Sequence, residues 1–243
     1  PINGRPGLEY ILEECMRSGI TKIVFIISKK KKSIRDYFYN DKLYIKTINN
    51  KKNDRRLKKE FLKLKKYRKI IKFVYQDNPK GTGDAVLKCM KHITSDYFLM
   101  LMPDDLIINK NCSSSLIKLH RKYRCSIIAA KKVSKKDVSR WGIFNKKKIS
   151  KKDFLIKDVI EKPSLSEAPS NYAVIGRYVL SKKIFQILKK QKPGKNGEIH
   201  ITDSIRTLIL KKNKFVGHIF DGKYLDCGSM KGYIKSSLEI SKL

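Results

Sequence analysis

The sequence predicts an α/β fold with a mainly parallel mixed sheet flanked by helices, and three observations predict it. Helical and extended patterns alternate through the first half of the chain, which implies right-handed crossovers between parallel strands. The run YFLMLM at 97–102 is unbroken and apolar, then stops at Pro103, Asp104 and Asp105. Six such residues before a turn suit a strand buried on both faces. A length of 243 residues, 41% of them hydrophobic, is enough for one large core, so residues 1–243 read as one domain.

The elements follow in order. Residues 6–18 place Leu8, Ile11, Leu12 and Cys15 on one helical face, with Pro6 in the first turn and Gly19 as the stop. A buried strand is predicted at 20–28 and a short helix at 33–40. The basic stretch from Lys46 to Lys72 carries an apolar stripe, Leu57, Phe61 and Leu64, and reads as a surface helix. A strand at 70–76 leads through a glycine-containing loop into a helix at 83–93. The apolar strand at 97–102 precedes a helix at 113–124 and a strand at 125–133. Short extended pieces at 141–144, 154–161 and 171–180 suggest a small β-rich flap. Helices at 181–191 and 202–211, a strand at 214–220 and a helix at 230–241 complete the chain. Thr202 and Asp203 read as cap residues.

Composition narrows the function classes. The longest apolar runs, such as IVFII at 23–27, are far too short to span a bilayer. No secretory signal opens the chain. Five cysteines without a CxxC pair argue against a disulfide framework or zinc site and fit a reducing cytoplasm. The four histidines have no metal-type spacing and read as structural or surface groups. The net charge of +35 comes from 57 basic against 22 acidic residues. Such a charge can mark a nucleic-acid binder. Here the lysines spread over the whole chain without an aromatic stacking platform, so generalised lysine enrichment is the favoured reading.

Five constellations carry candidate chemistry. Asp104 and Asp105 sit where a strand leaves the sheet, the place where α/β sheets bind ligands. Hard oxygen ligands there can hold Mg²⁺ against a phosphate, although Pro-Asp-Asp is also ordinary turn chemistry. Gln76 opens a βα loop containing Gly81 and Gly83; the glycines allow close backbone approach to a flat ligand, and Gln76 suits a pyrimidine edge. A plain flexible loop is the alternative. Glu161-Lys162-Pro163 ends a strand, with Lys suited to phosphate and Glu to sugar hydroxyls; an exposed ion pair before a turn is the alternative. Gly142 lies inside a strand, marking either close ligand approach or a bulge. Asp226 either completes a metal site with Asp104 or caps a helix.

Taken in order, these residues resemble the bacterial UTP–glucose-1-phosphate uridylyltransferase family. The matching segments are GLEYILEECMRSGITKIVFIIS, QDNPKGTGDAVL, LMPDD, SRWGIF, VIEKP, APSNYAVIGRYVL, GEIHITDSI and YLDCGSMKGY. EKP followed by APSNYAVIGRYVL is the most specific of them. The resemblance implies a Rossmann-like nucleotidyltransferase fold and Mg²⁺-dependent formation of UDP-glucose and pyrophosphate from UTP and glucose 1-phosphate. It assigns Gln76 and Gly81 to uracil, Asp104 to Mg²⁺, and Gly142, Glu161 and Gly176 to glucose. Lys162 falls to the sugar phosphate and Asp226 to the metal or phosphate side. Asp105 is expected to support Asp104.

The family also opens with a first strand, a G-x-G-T-R loop and a P-K-E segment, which residues 1–243 do not match. The expectation that follows is a chain truncated at its N-terminus, of low stability and activity on its own. The partners expected are the two substrates and a second copy of the chain, with no membrane. The rival readings are another sugar-1-phosphate nucleotidyltransferase of the thymidylyltransferase type, and a non-enzymatic basic nucleic-acid binder.

Overall fold

The computed structural model describes residues 1–50, 55–194 and 197–242. Helix α1 (Gly7–Arg17) buries Ile11, Leu12 and Cys15 on the predicted stripe and leads into strand β1 (Ile23–Ile27). Helices α2 (Lys32–Tyr39), α3 (Asp41–Asn50) and α4 (Arg55–Arg68) follow. The basic stretch is thus divided between two helices, and its residues 51–54 lie outside those described. Strand β2 (Ile71–Tyr75) pairs in parallel with β1. Helix α5 (Thr82–Lys88) and a 3-10 turn at Met90–His92 replace the single helix expected at 83–93.

Strand β3 (Tyr97–Leu101) ends at the Pro-Asp-Asp turn, and a four-residue strand, β4 (Asp105–Ile108), starts at once. Helix α6 (Cys112–Tyr123) is capped by the Asn111 side chain, which accepts from the Ser114 N–H at 2.9 Å. Strands β5 (Ser126–Lys132), β6 (Gly142–Lys148), β7 (Asp153–Glu161) and β8 (Tyr172–Ser181) come next. Helices α7 (Ile184–Leu188) and α8 (Ile201–Leu210), strands β9 (Phe215–Ile219) and β10 (Lys223–Asp226), and helix α9 (Met230–Ile240) end the chain.

The main sheet has the order β3-β8-β5-β9-β7-β6, with a further β6–β8 pairing. The sheet is mixed rather than mainly parallel: among the described residues its one parallel ladder is β5–β9, its other ladders are antiparallel, and the parallel β1–β2 pair lies apart from it. Alternation of helix and strand suggested otherwise, because β8 enters between β3 and β5 from 40 residues downstream in sequence, against their direction. The segments expected as a separate flap, β6, β7 and β8, are integral to this sheet. β8 is its most buried strand, and only its two end residues are partly exposed.

Helix α6 covers one face through Leu116, packed with Ile127, Ile175 and Val179. Helices α5, α7 and α8 cover the other through Val86, Leu188 and Ile205, packed with Ile128, Tyr178 and Leu180. All five residues of β3 are half-buried rather than fully buried. This strand pairs on one edge only among the described residues, as does β1. An edge strand lacks a neighbour to shield one side, which is why its apolar run is not sealed.

Candidate active site

The carboxylate turn is built by the pairing of β4 with β10. Asp105 stands opposite Asp226 in the antiparallel register, and the Cys227 N–H donates to the Asp104 carbonyl at 2.8 Å. A Cβ placed on Gly228 would lie 2.8 Å from Asp104 Oδ2 and 3.3 Å from Asp226 Oδ1. The two carboxylates therefore converge on one point that only a glycine leaves open. Asp104 is exposed, while Asp226 is half-buried and accepts from Arg140 Nη2 at 3.2 Å and from the Gly228 N–H at 2.9 Å. The cap of α9 is Ser229, not Asp226. An open groove beside Asp226 is lined by Lys136, Arg140, Lys223, Lys231 and Lys235 together with the acids Asp137 and Glu239, a mixed rim in which cations outnumber acids. A separate groove between α1 and α4 holds none of the candidate residues.

Asp105 points the other way, into the protein. Its Oδ2 accepts from the Gly176 N–H at 2.8 Å and its Oδ1 from the Tyr224 hydroxyl at 2.5 Å. Burial pushes its carboxyl above the usual carboxylate range, although both hydrogen bonds pull it down. Gly176 is buried, and its carbonyl accepts from the Met102 N–H at 2.9 Å. A side chain at Gly176 would collide with Met102 and come within 2.5 Å of Asp105 Oδ2. Its backbone groups are thus committed to the carboxylate turn.

The strand-end group forms across the β6–β7 ladder, where Gly142 faces Glu161 in register. A Cβ at Gly142 would lie 3.3 Å from Glu161 Oε2, 3.1 Å from Val174 Cγ2 and 3.5 Å from Thr202 Cγ2. Lys162 follows with φ +45°, a left-handed conformation unusual for a side-chain-bearing residue. Its N–H donates to the Trp141 carbonyl at 3.0 Å, and the residue is exposed. Such a conformation persists only where the surroundings impose it. Here it turns the chain sharply at the end of β7.

The glycine loop differs from expectation in what its glycines contact. Gly81, at φ +104°, and Gly83 abut the backbone of Ile199; a Cβ would come within 2.6 Å and 2.9 Å of its carbonyl oxygen. The Gly83 N–H donates to that oxygen at 2.7 Å and the Ile199 N–H to the Lys80 carbonyl at 2.7 Å. Close approach is therefore to the protein's own segment 198–201. Gln76 Nε2 donates to Asp84 Oδ2 at 2.7 Å and to the Gly81 carbonyl at 3.3 Å, so its amide braces the loop and leaves its carbonyl oxygen as the remaining acceptor.

Tyr178 is buried on β8, and its hydroxyl is pushed up first by burial, then by Asp105, Glu161 and Asp104. Thr202, expected as a cap, lies in the first turn of α8 beside Gly142, and His200 holds the cap position. Arg177, Arg140 and Tyr224 were not anticipated. The signals were an arginine inside an otherwise apolar strand and a tyrosine two residues before Asp226, on the same strand face.

The histidines and cysteines behave as structural groups. His120 Nδ1 meets the Cys125 carbonyl at 2.9 Å, and His218 Nδ1 meets Asp153 Oδ1 at 2.7 Å. All five cysteines are free, and burial pushes the Cys15, Cys89 and Cys112 thiols up to about 12, far from thiolate reactivity. Among the described residues no group of three or more His, Cys, Asp or Glu gathers as a metal cluster, and no helix is long and apolar enough to cross a membrane.

The chain is similar to known proteins over nearly its whole length. The nucleotidyl transferase family matches residues 1–242. A UTP–glucose-1-phosphate uridylyltransferase of Pseudomonas aeruginosa is 31% identical over 245 residues, covering 98% of this chain and 85% of the relative. The chain belongs to the UTP–glucose-1-phosphate uridylyltransferase family. UTP–glucose-1-phosphate uridylyltransferase 2 of Streptococcus pyogenes serotype M1, another member, is 36% identical over 247 residues, covering 98% of this chain and 81% of its own. A crystal structure of UDP-glucose pyrophosphorylase complexed with UDP-glucose superposes with a TM-score of 0.84 at 35% identity, over 100% of this chain and 89% of that one. The UTP-bound enzyme of Acinetobacter baumannii gives 0.80 at 29% identity, over 98% and 83%. The α/β nucleotidyltransferase fold expected from the sequence is the fold observed.

Proposed function

We propose that the protein transfers the uridylyl group of UTP to glucose 1-phosphate, giving UDP-glucose and pyrophosphate, with Asp104 and Asp226 holding Mg²⁺. Membership of the family across the whole chain supports the reaction. The convergence of two carboxylates over Gly228 supports the metal assignment. Mg²⁺ is held by one or two carboxylates plus substrate phosphates rather than by a full protein cage, so two acidic groups are a fitting donor set. Arg140 is exposed and can release Asp226 to a cation.

The chemistry asks for little proton transfer. A phosphate oxygen of glucose 1-phosphate attacks the α-phosphorus of UTP, and the bond to the β-phosphate oxygen breaks. The nucleophile is already an anion near neutral pH, so no general base is required. Alignment and relief of like-charge repulsion are what the site must supply. Bound Mg²⁺ supplies charge neutralisation for the triphosphate. Lys162, turned outward at the end of β7, meets the sugar phosphate, and Glu161 accepts from sugar hydroxyls opposite Gly142. Gln76 presents its free carbonyl oxygen to the uracil edge, and Gly81 shapes the loop behind it.

The deciding assay measures UDP-glucose and pyrophosphate formed from UTP and glucose 1-phosphate, with dTTP as competitor. Preference for UTP is expected. Equal or better use of dTTP would move the protein to the thymidylyltransferase type.

A further inference from the structure

We propose that Arg177, paired with Glu14, is a positioning residue that sets the Asp104 carboxylate for its cation; the inference rests on the metal reading above. Arg177 is fully buried on β8 beside Gly176, and no part of it is exposed to a substrate. Its Nε donates to both Glu14 carboxylate oxygens at 3.1 and 3.0 Å, and its Nη2 to Glu14 Oε2 at 2.9 Å. The rest of the guanidinium spans the carboxylate turn. Nη1 donates to the Met102 carbonyl at 3.3 Å and the Gly176 carbonyl at 2.9 Å, and Nη2 to the Asp105 carbonyl at 2.6 Å. One rigid fork therefore grips the chain on both sides of Pro103 and Asp104.

Glu14 orients the fork. It reaches from α1, and its Oε1 also accepts from the Ser113 N–H at 3.0 Å and the Ser113 hydroxyl at 2.6 Å, in the first turn of α6. The positive end of that helix and the guanidinium both favour the carboxylate charge. Two helices and the most buried strand of the sheet thereby fix a turn whose acidic side chain is exposed. A buried ion pair is weak evidence of stability alone. What singles out this pair is its placement: its spare donors go to the carbonyls flanking Asp104.

The test uses Mn²⁺ alone as the probe, with free Mn²⁺ counted by electron paramagnetic resonance and folding followed by circular dichroism. Arg177→Lys keeps the charge but cannot span both carbonyls and Glu14. Glu14→Gln keeps the shape but frees the fork. Folded Arg177→Lys and Glu14→Gln are each expected to weaken Mn²⁺ binding about 10- to 100-fold, the range for partners that orient a metal ligand. Asp104→Asn is expected to abolish binding. If both folded variants bind Mn²⁺ as the parent does while Asp104→Asn does not, the pair is only structural and the inference is wrong. If Asp104→Asn binds normally, the metal reading itself fails. Should Arg177→Lys and Glu14→Gln not fold, Ser113→Ala decides. It removes one hydroxyl and is expected to weaken Mn²⁺ about tenfold, the lower end of the range for partners that orient a metal ligand; unchanged affinity overturns the inference.

Discussion

The carboxylate turn at 102–105 and the strand end at 161–162 are the two halves of the proposed site, and they are held in opposite ways. The turn is anchored from inside by Arg177, Gly176 and Tyr224, all from other parts of the chain. The strand end is held by its own ladder, with Glu161 opposite Gly142 and Lys162 bonded back to Trp141. One half spends buried polar groups to place an exposed acid. The other uses register and a single left-handed residue to place an exposed cation. Placement of a metal ligand tolerates little error, whereas a flexible lysine meets a phosphate as a point charge.

The largest expected effect lies on the turn. Asp104→Asn should lower turnover about a thousandfold or more, since a metal supplies several kcal/mol and each 1.36 kcal/mol is tenfold. The fold should persist, because the side chain is exposed. Turnover near the parent's would take Asp104 out of the site. Gly176→Ala comes next. Its methyl group would displace Met102 and Asp105. Overpacking of this kind costs about 1–3 kcal/mol, and a shift of the turn by about 1 Å costs about a hundredfold in rate. Thermal unfolding together with kcat measures both; an unchanged kcat would mean the turn does not depend on Gly176.

On the strand end the losses should be smaller and specific to one substrate. Lys162→Ala should raise KM for glucose 1-phosphate about tenfold to a hundredfold, the worth of charge-assisted hydrogen bonds of about 1.5–3 kcal/mol. Lys162→Gly should raise KM equally but be more stable than Lys162→Ala, by about 1 kcal/mol, because glycine accepts the left-handed backbone freely. Glu161→Ala should weaken the sugar and leave UTP affinity unchanged. Equal losses for both substrates would erase the division between the halves.

The smallest effect is a pH dependence carried by Asp105 on the turn. Burial raises the Asp105 carboxyl pKa in the folded protein, so folding favours its protonated form. Its contribution to stability is complete below the ordinary value of about 3.9 and is lost as pH rises through the raised value. Melting temperatures of the parent and Asp105→Asn, measured across that window, should converge or cross as the parent loses ground with rising pH. A constant gap between them would show that Asp105 does not titrate with folding.

Helix faces such as Ile11, Leu12 and Cys15, the strand cores and the residue types of the site were readable from the chain, because side-chain periodicity and turn chemistry are local. The match of segments such as EKP and LMPDD carried the expected reaction. Tertiary structure alone decided the strand directions, since nothing in β8 shows that it inserts between β3 and β5. It also decided that Gly81 and Gly83 make room for Ile199 and that Gly176 makes room for the carboxylate turn. Strands β4 and β10 have four residues each, too short for a periodic signal. Yet their ladder is what brings Asp226 opposite Asp105, from more than a hundred residues away. Glu14, Ser113 and Arg177 read singly as an unremarkable acid, hydroxyl and base. Burial makes them partners, because a charge removed from water must find its counter-charge and its hydrogen bonds within the fold.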